Sequence, residues 1–156
     1  MSLRVREAFV RGSSELSEEE PVREDVAAIT DLVGQLGYPS EEAAVAGRLE
    51  RLAADPGSWV YVAVDSERVV GVAALHVMPI LERDAPTARI TAMVVDEAAR
   101  RGGVGRALLE RLEEVARAEG CGRIYLTTRY EREGAVAFYR RTGYEDTSLR
   151  FVKELP

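Results

Sequence analysis

The chain has 156 residues and a formal net charge of −6, with 46% apolar and 31% charged side chains. That is the length of one ordinary domain, 1–156, apolar enough for its own core and charged enough for a soluble surface. The acidic balance argues against a nucleic-acid partner and suits a cationic ligand, and charges interrupt every apolar stretch well before the roughly 20 residues that a membrane span needs.

Cys121 is the only cysteine and His76 the only histidine. An internal disulfide, a cysteine-based zinc site and a two-histidine metal site are thereby excluded, and no metal is expected. Cys121 reads as a small buried residue. Met1 to Glu7 lacks the apolar run of a secretory signal, so a cytoplasmic location is expected.

In chain order, Leu3 to Val10 is rich in Val and Phe and predicts a first strand. Arg11 to Glu20 reads as a solvated loop. Pro21 suits a first helical position, and Val22, Val26, Ile29, Val33 and Leu36 then recur on one helix face until Gly37. Ser40 is the expected N-cap of a second helix, with Val45, Leu49 and Leu52 as its inner stripe before Asp55-Pro56-Gly57. Trp59–Val64 and Val69–Val77 predict two strands joined by a hairpin turn over Asp65-Ser66-Glu67-Arg68. Met78 to Ala88 reads as a loop and Arg89–Val95 as a strand. Gly103 to Glu119 predicts a strong helix, with Val104, Leu108, Leu112 and Val115 inward and Gly120 at its end. Ile124–Thr128 predicts a strand, Glu133–Thr142 a helix ended by Gly143, and Leu149–Val152 a last strand. The order β-α-α-β-β-β-α-β-α-β predicts a mixed α/β (α+β) domain around a central, mostly antiparallel sheet.

The chemistry concentrates in Met93-Val94-Val95-Asp96-Glu97-Ala98-Ala99-Arg100-Arg101-Gly102-Gly103-Val104-Gly105-Arg106, where a strand enters a glycine-rich turn and then a helix. The first turn of a helix leaves backbone N–H groups without partners at the positive end of its dipole, and glycine lets a bulky anion approach. A phosphate or pyrophosphate fits such a turn. The dinucleotide fingerprint fails at Leu108, which disfavours a Rossmann oxidoreductase, and the Lys-Ser/Thr ending of a P-loop is absent. Arg100, Gly103 and Gly105 do satisfy Gln/Arg-x-x-Gly-x-Gly/Ala. Downstream stands Ala135-Val136-Ala137-Phe138-Tyr139, followed by Gly143-Tyr144.

In these two motifs and in its order of elements the chain resembles the GNAT superfamily of acetyl-CoA-dependent N-acetyltransferases. The resemblance implies a sheet of about six to seven strands with about four helices. It also implies an acyltransferase that moves an acetyl group from acetyl-CoA to a primary amine by direct transfer. Acetyl-CoA contacts are implied at Met93, Val94 and Val95, at Arg100, Arg101, Gly102, Gly103, Val104, Gly105 and Arg106, and at Tyr139. Tyr139 maps to the family's general acid, which protonates the departing thiolate.

The sequence departs from the family pattern at two places. Arg132 stands where many relatives carry an asparagine that contacts the cofactor and is expected as a further coenzyme contact, for example to a phosphate, and Arg89–Val95 lacks the glutamate that often serves as base. Glu82, Asp84, His76 or water remain as candidates for that role. The acceptor is expected to be a small-molecule or peptide amine; a polyamine, an aminoglycoside, an amino acid and a protein N-terminus all fit. No nucleic acid or membrane is expected as a partner, and a homodimer is compatible with the sequence. Transfer of another acyl group and a non-catalytic acyl-CoA sensor are the competing readings.

Overall fold

The computed structural model describes residues 2–8 and 20–156, with side chains of the first helix described from Asp25 onward. The expected loop at Arg11–Glu20 and the end of the expected first strand, Phe9 and Val10, fall outside these residues, apart from Glu20 itself. The elements are β1 (Arg4–Glu7), α1 (Glu20–Gln35), α2 (Glu42–Ala54), β2 (Ser58–Asp65), β3 (Arg68–Met78), β4 (Thr87–Val95), α3 (Val104–Ala118), β5 (Arg123–Tyr125) and α4 (Glu133–Arg141). A 3-10 turn at Glu97–Ala99 precedes α3.

Strands β1 to β5 lie side by side in sequence order, antiparallel except for the parallel β4–β5 pair. Side chains alternate between the two faces of a strand. Val60, Val62 and Val64 of β2 join Val72, Ala74 and Val94 under Val26, Ile29, Leu32, Val45 and Leu49 of α1 and α2. Tyr61, Ala63, Ala73, Leu75 and Ile90 face the other way, under Leu108, Leu109 and Leu112 of α3. The central strands are apolar on both faces because each face is covered by helices. Gly71 lets α3 come close: a Cβ there would stand 3.0 Å from Leu108 Cδ1 and 3.1 Å from Val104 Cγ1.

Short-range chemistry fixes several joints. Ser66 (φ 49°) and Glu67 (φ 67°) make the two-residue hairpin between β2 and β3, although neither is the Gly or Asn that such a left-handed turn prefers. Arg6 grips the buried Asp25 carboxylate with two hydrogen bonds of 2.8 Å and so ties β1 to α1. Glu41 occupies the N-cap of α2 without a side-chain bond; the expected cap, Ser40, instead donates its hydroxyl to Tyr38 O. Pro21 is the second residue of α1 rather than its first.

Two expectations need larger correction. The described sheet has five strands, not six to seven, and the expected last strand at Leu149–Val152 has no regular structure. Strand residues need a hydrogen-bonding partner, and this stretch pairs with no strand. Leu149, Phe151 and Val152 stay exposed. The strand expected over Ile124–Thr128 shortens to Arg123–Tyr125, because its pairing with β4 ends at Arg89 and Tyr125.

Candidate active site at the parting of two strands

The end of that pairing creates the site. Strand β4 continues six residues past Arg89 to Val95 with no strand among the described residues on that edge, while the chain after Tyr125 turns away. A bulge adds to the divergence. Ala74 pairs with Ala92 and Leu75 with Ile90, which leaves Thr91 as the extra residue of β4. Bulges bend a strand and increase its twist. A cleft of about 330 Å³ opens between the two chains, walled by Ile90–Met93 on one side and Leu126–Arg129 on the other. Tyr139 of α4 and the α1–α2 connection at Leu36 and Tyr38 complete it.

Beyond the far end of β4 lies the glycine-rich turn. Asp96 accepts from Ala98 N–H at 3.1 Å and bonds Arg68 at 3.1 Å, which anchors the exit of the strand. Arg101 (φ 66°) and Gly103 (φ 81°) both take the left-handed conformation, and Gly103 caps α3. A Cβ on Gly103 would meet nothing within 4 Å, so the glycine serves conformation and open approach rather than packing. The first α3 bond runs from Ala107 N–H to Gly103 O, and no side chain caps this end. The N–H groups of Val104, Gly105 and Arg106 therefore point outward at the positive end of the helix dipole. Gly105 lies against Phe138 and Val95, where a Cβ would sit 3.5 Å from Phe138 Cζ. Arg100 Nε donates to Val95 O at 3.4 Å, and Arg106 pairs with Glu110 at 3.5 Å on the exposed surface.

Tyr139 packs edge-on against Phe138 and Tyr144, with ring centroids 5.2 Å and 5.6 Å away. Its hydroxyl makes no hydrogen bond among the described residues, while its ring lines the cleft. Burial pushes its pKa up to about 12, so it carries its proton throughout the neutral range. Tyr144 is raised further by burial and by Glu113, to which its hydroxyl donates at 3.1 Å. Tyr144 is thus tied to α3 and is structural.

The sequence-derived residues divide into three groups. Met93, Arg132 and Tyr139 meet at the cleft. Arg100 to Arg106 gather at the start of α3. Val94 is buried on the α1–α2 face and Val95 packs on the α3 face, and neither lines the cleft. Arg132 donates through Nη2 to Leu36 O, and so clasps the α1–α2 connection to the start of α4. None of the three candidate bases lines the cleft. Glu82 and Asp84 are exposed in the preceding loop, and His76 Nδ1 is held by Ser58 (3.1 Å) and Asp55 (3.3 Å). The overall acidity suggested a cationic ligand, but the cleft carries the opposite sign. Among the described residues Arg89, Arg129, Arg132 and Arg150 line it and no carboxylate does. Arg89 was missed by sequence reasoning; its signal was a lone arginine entering an apolar strand.

Residues 19–144 match the model of the acetyltransferase (GNAT) family. The chain is 33% identical over 134 residues to an IAA acetyltransferase of Azospirillum brasilense, covering 84% of each chain. It is 34% identical over 101 residues to an aminoalkylphosphonate N-acetyltransferase of Salmonella typhimurium, covering 65% of this chain and 66% of the relative. Its fold is also similar to that of a transcriptional regulator from Bacillus halodurans, with a TM-score of 0.81 at 21% identity over 99% of this chain and 100% of that one. The fold and the site define an acyltransferase, and the chain belongs to the GNAT family of acetyltransferases. Among the described residues no helix is long and apolar enough to cross a membrane.

Proposed function

We propose that the protein transfers the acetyl group of acetyl-CoA to a primary amine. One observation carries this reading: the bare edge of β4 leads from a cleft lined by Tyr139 to the start of α3, whose N–H groups no side chain caps. The donor set fits the cosubstrate. The pyrophosphate suits the free N–H groups of Val104, Gly105 and Arg106 beside the open Gly103, and a polar, extended arm suits the unpaired edge of β4. Bound there, acetyl-CoA would supply the acetyl group as a reactive thioester.

The chain's own groups perform the rest. Backbone N–H groups along Met93–Val95 donate to the carbonyl oxygen as negative charge builds on it. The attacking amine nitrogen forms the new C–N bond while the C–S bond breaks. Tyr139 gives its proton to the departing sulfur and recovers one from solvent. The proton lost by the amine passes to water, since among the described residues no carboxylate or histidine lines the cleft. The amide and the free thiol are the products. The reading is tested by calorimetric binding of acetyl-CoA, followed by thiol release with a panel of amines. A dissociation constant in the micromolar range, about −8 kcal/mol, together with amine-dependent thiol release supports it. No binding at millimolar acetyl-CoA refutes it.

A further inference from the structure

Arg89 sits where β4 and β5 part, with Tyr125 beside it on one strand and His76 on the other. Its Nε is buried without a hydrogen-bond partner, and the side chain makes no ion pair among the described residues. A buried Nε–H without a partner is costly, and on a half-buried guanidinium that lines the cleft it stands ready for an anion. Arg150 lines the same cleft and spends one donor on Thr127 Oγ1 at 3.3 Å, which leaves most of its fork unused.

The cosubstrate's own anions do not account for Arg89. The six steps from Arg89 to Val95 span about 20 Å of extended chain, so Arg89 lies far from the phosphate-binding start of α3. The part of acetyl-CoA that would run between them is uncharged. We infer that Arg89, assisted by Arg150, binds an anionic group on the acceptor, which is therefore an amine bearing a carboxylate or phosphate-type group rather than a polyamine. A bidentate guanidinium pair would hold such a group where β4 and β5 part and present the amine toward Tyr139. This inference rests on the cleft being the acetyl-transfer site.

The test compares amines matched in size. Thiol release is measured with β-alanine and phosphoethanolamine against propylamine, ethanolamine and spermidine. The anionic amines should have kcat/KM values higher by about 10- to 100-fold, the worth of one or two hydrogen bonds to a charged group. Arg89→Met should erase that advantage mainly through KM, and Arg89→Lys should restore part of it. Arg150→Ala, on the exposed tail, is the second variant should Arg89→Met fail to fold. Equal or better use of spermidine or propylamine by the wild-type enzyme overturns the inference. Calorimetry of phosphoethanolamine against the wild type saturated with CoA separates this outcome from failure of the acetyl-transfer reading. Binding that is lost in Arg89→Met, or in Arg150→Ala, upholds the anion site even without turnover. Absence of binding and of anionic-amine turnover overturns it, whether or not acetyl-CoA binds.

Discussion

Gly103 separates folding from cosubstrate binding, because its backbone is strained for other residues while the space around it is open. It caps α3 at φ 81°, and an added Cβ meets nothing within 4 Å. Gly103→Ala therefore costs only the left-handed backbone, about 1–2 kcal/mol. At about 2–4 °C per kcal/mol for a domain of this size, the Tm should fall by roughly 2–8 °C. Gly103→Glu carries the same backbone cost, eased by up to about 1 kcal/mol because a carboxylate is favourable at a helix N-terminus. It should thus fold at least as well as the alanine variant. Its effect on binding is far larger. A carboxylate about 5 Å from a phosphate charge costs about 3 kcal/mol at an effective dielectric near 20, more than a hundredfold in affinity. Circular dichroism melting and acetyl-CoA calorimetry on both variants check the two halves. A folded Gly103→Glu that binds acetyl-CoA within about threefold of wild type would refute the placement of the pyrophosphate.

Four further outcomes are expected. Tyr139→Phe keeps the ring packing and should lower kcat by about 100-fold with acetyl-CoA affinity unchanged, read by steady-state kinetics and calorimetry. Because burial raises Tyr139 from 10.0 to about 12, the folded state holds its proton longer than the unfolded chain. Stability should therefore be intact below pH 10 and fall as the pH rises toward 12, less steeply in Tyr139→Phe, as followed by alkaline melting curves. Gly71→Val places a Cβ 3.0 Å from Leu108 Cδ1 and 3.1 Å from Val104 Cγ1, and should cost about 1–3 kcal/mol by pushing α3 off the sheet. Acetyl-CoA affinity should fall with it, since α3 carries the phosphate site. In the hairpin, Glu67→Gly relieves a φ of 67° and should raise the Tm by about 2–4 °C, because the exposed Arg4 pair it removes, at 3.6 Å, contributes little.

The helices and the central strands were legible because their patterns are strong and self-contained. Val104, Leu108, Leu112 and Val115 recur at helical spacing and are all buried, and Gly120 takes the left-handed conformation expected of a helix end. The β2–β3 hairpin was legible from its polar turn. Strand existence at the edges was not, because it depends on a partner: Leu149–Val152 has strand composition but no paired neighbour. The glycine-rich turn announced itself by spacing, and Tyr139 by its motif. The cleft did not, because it arises from the bulge at Thr91 and from the early end of the β4–β5 ladder, neither of which has a local signature. The sign of the net charge misled for a related reason. Bulk charge sums over the whole surface, whereas the cleft gathers arginines from β4, from the chain after β5, from the start of α4 and from the C-terminal segment.

The central claim is acetyl transfer at the cleft, and it is tested most directly by following the acetyl group itself. Wild-type protein is incubated with acetyl-CoA carrying an isotope-labelled acetyl group and with the amine panel, and mass spectrometry reads label in the amine while a thiol assay reads free CoA. The account predicts labelled amide and free thiol in equal amounts, both lowered about 100-fold in Tyr139→Phe. Tight binding of acetyl-CoA without label in any amine would contradict it and leave a binding protein on this fold.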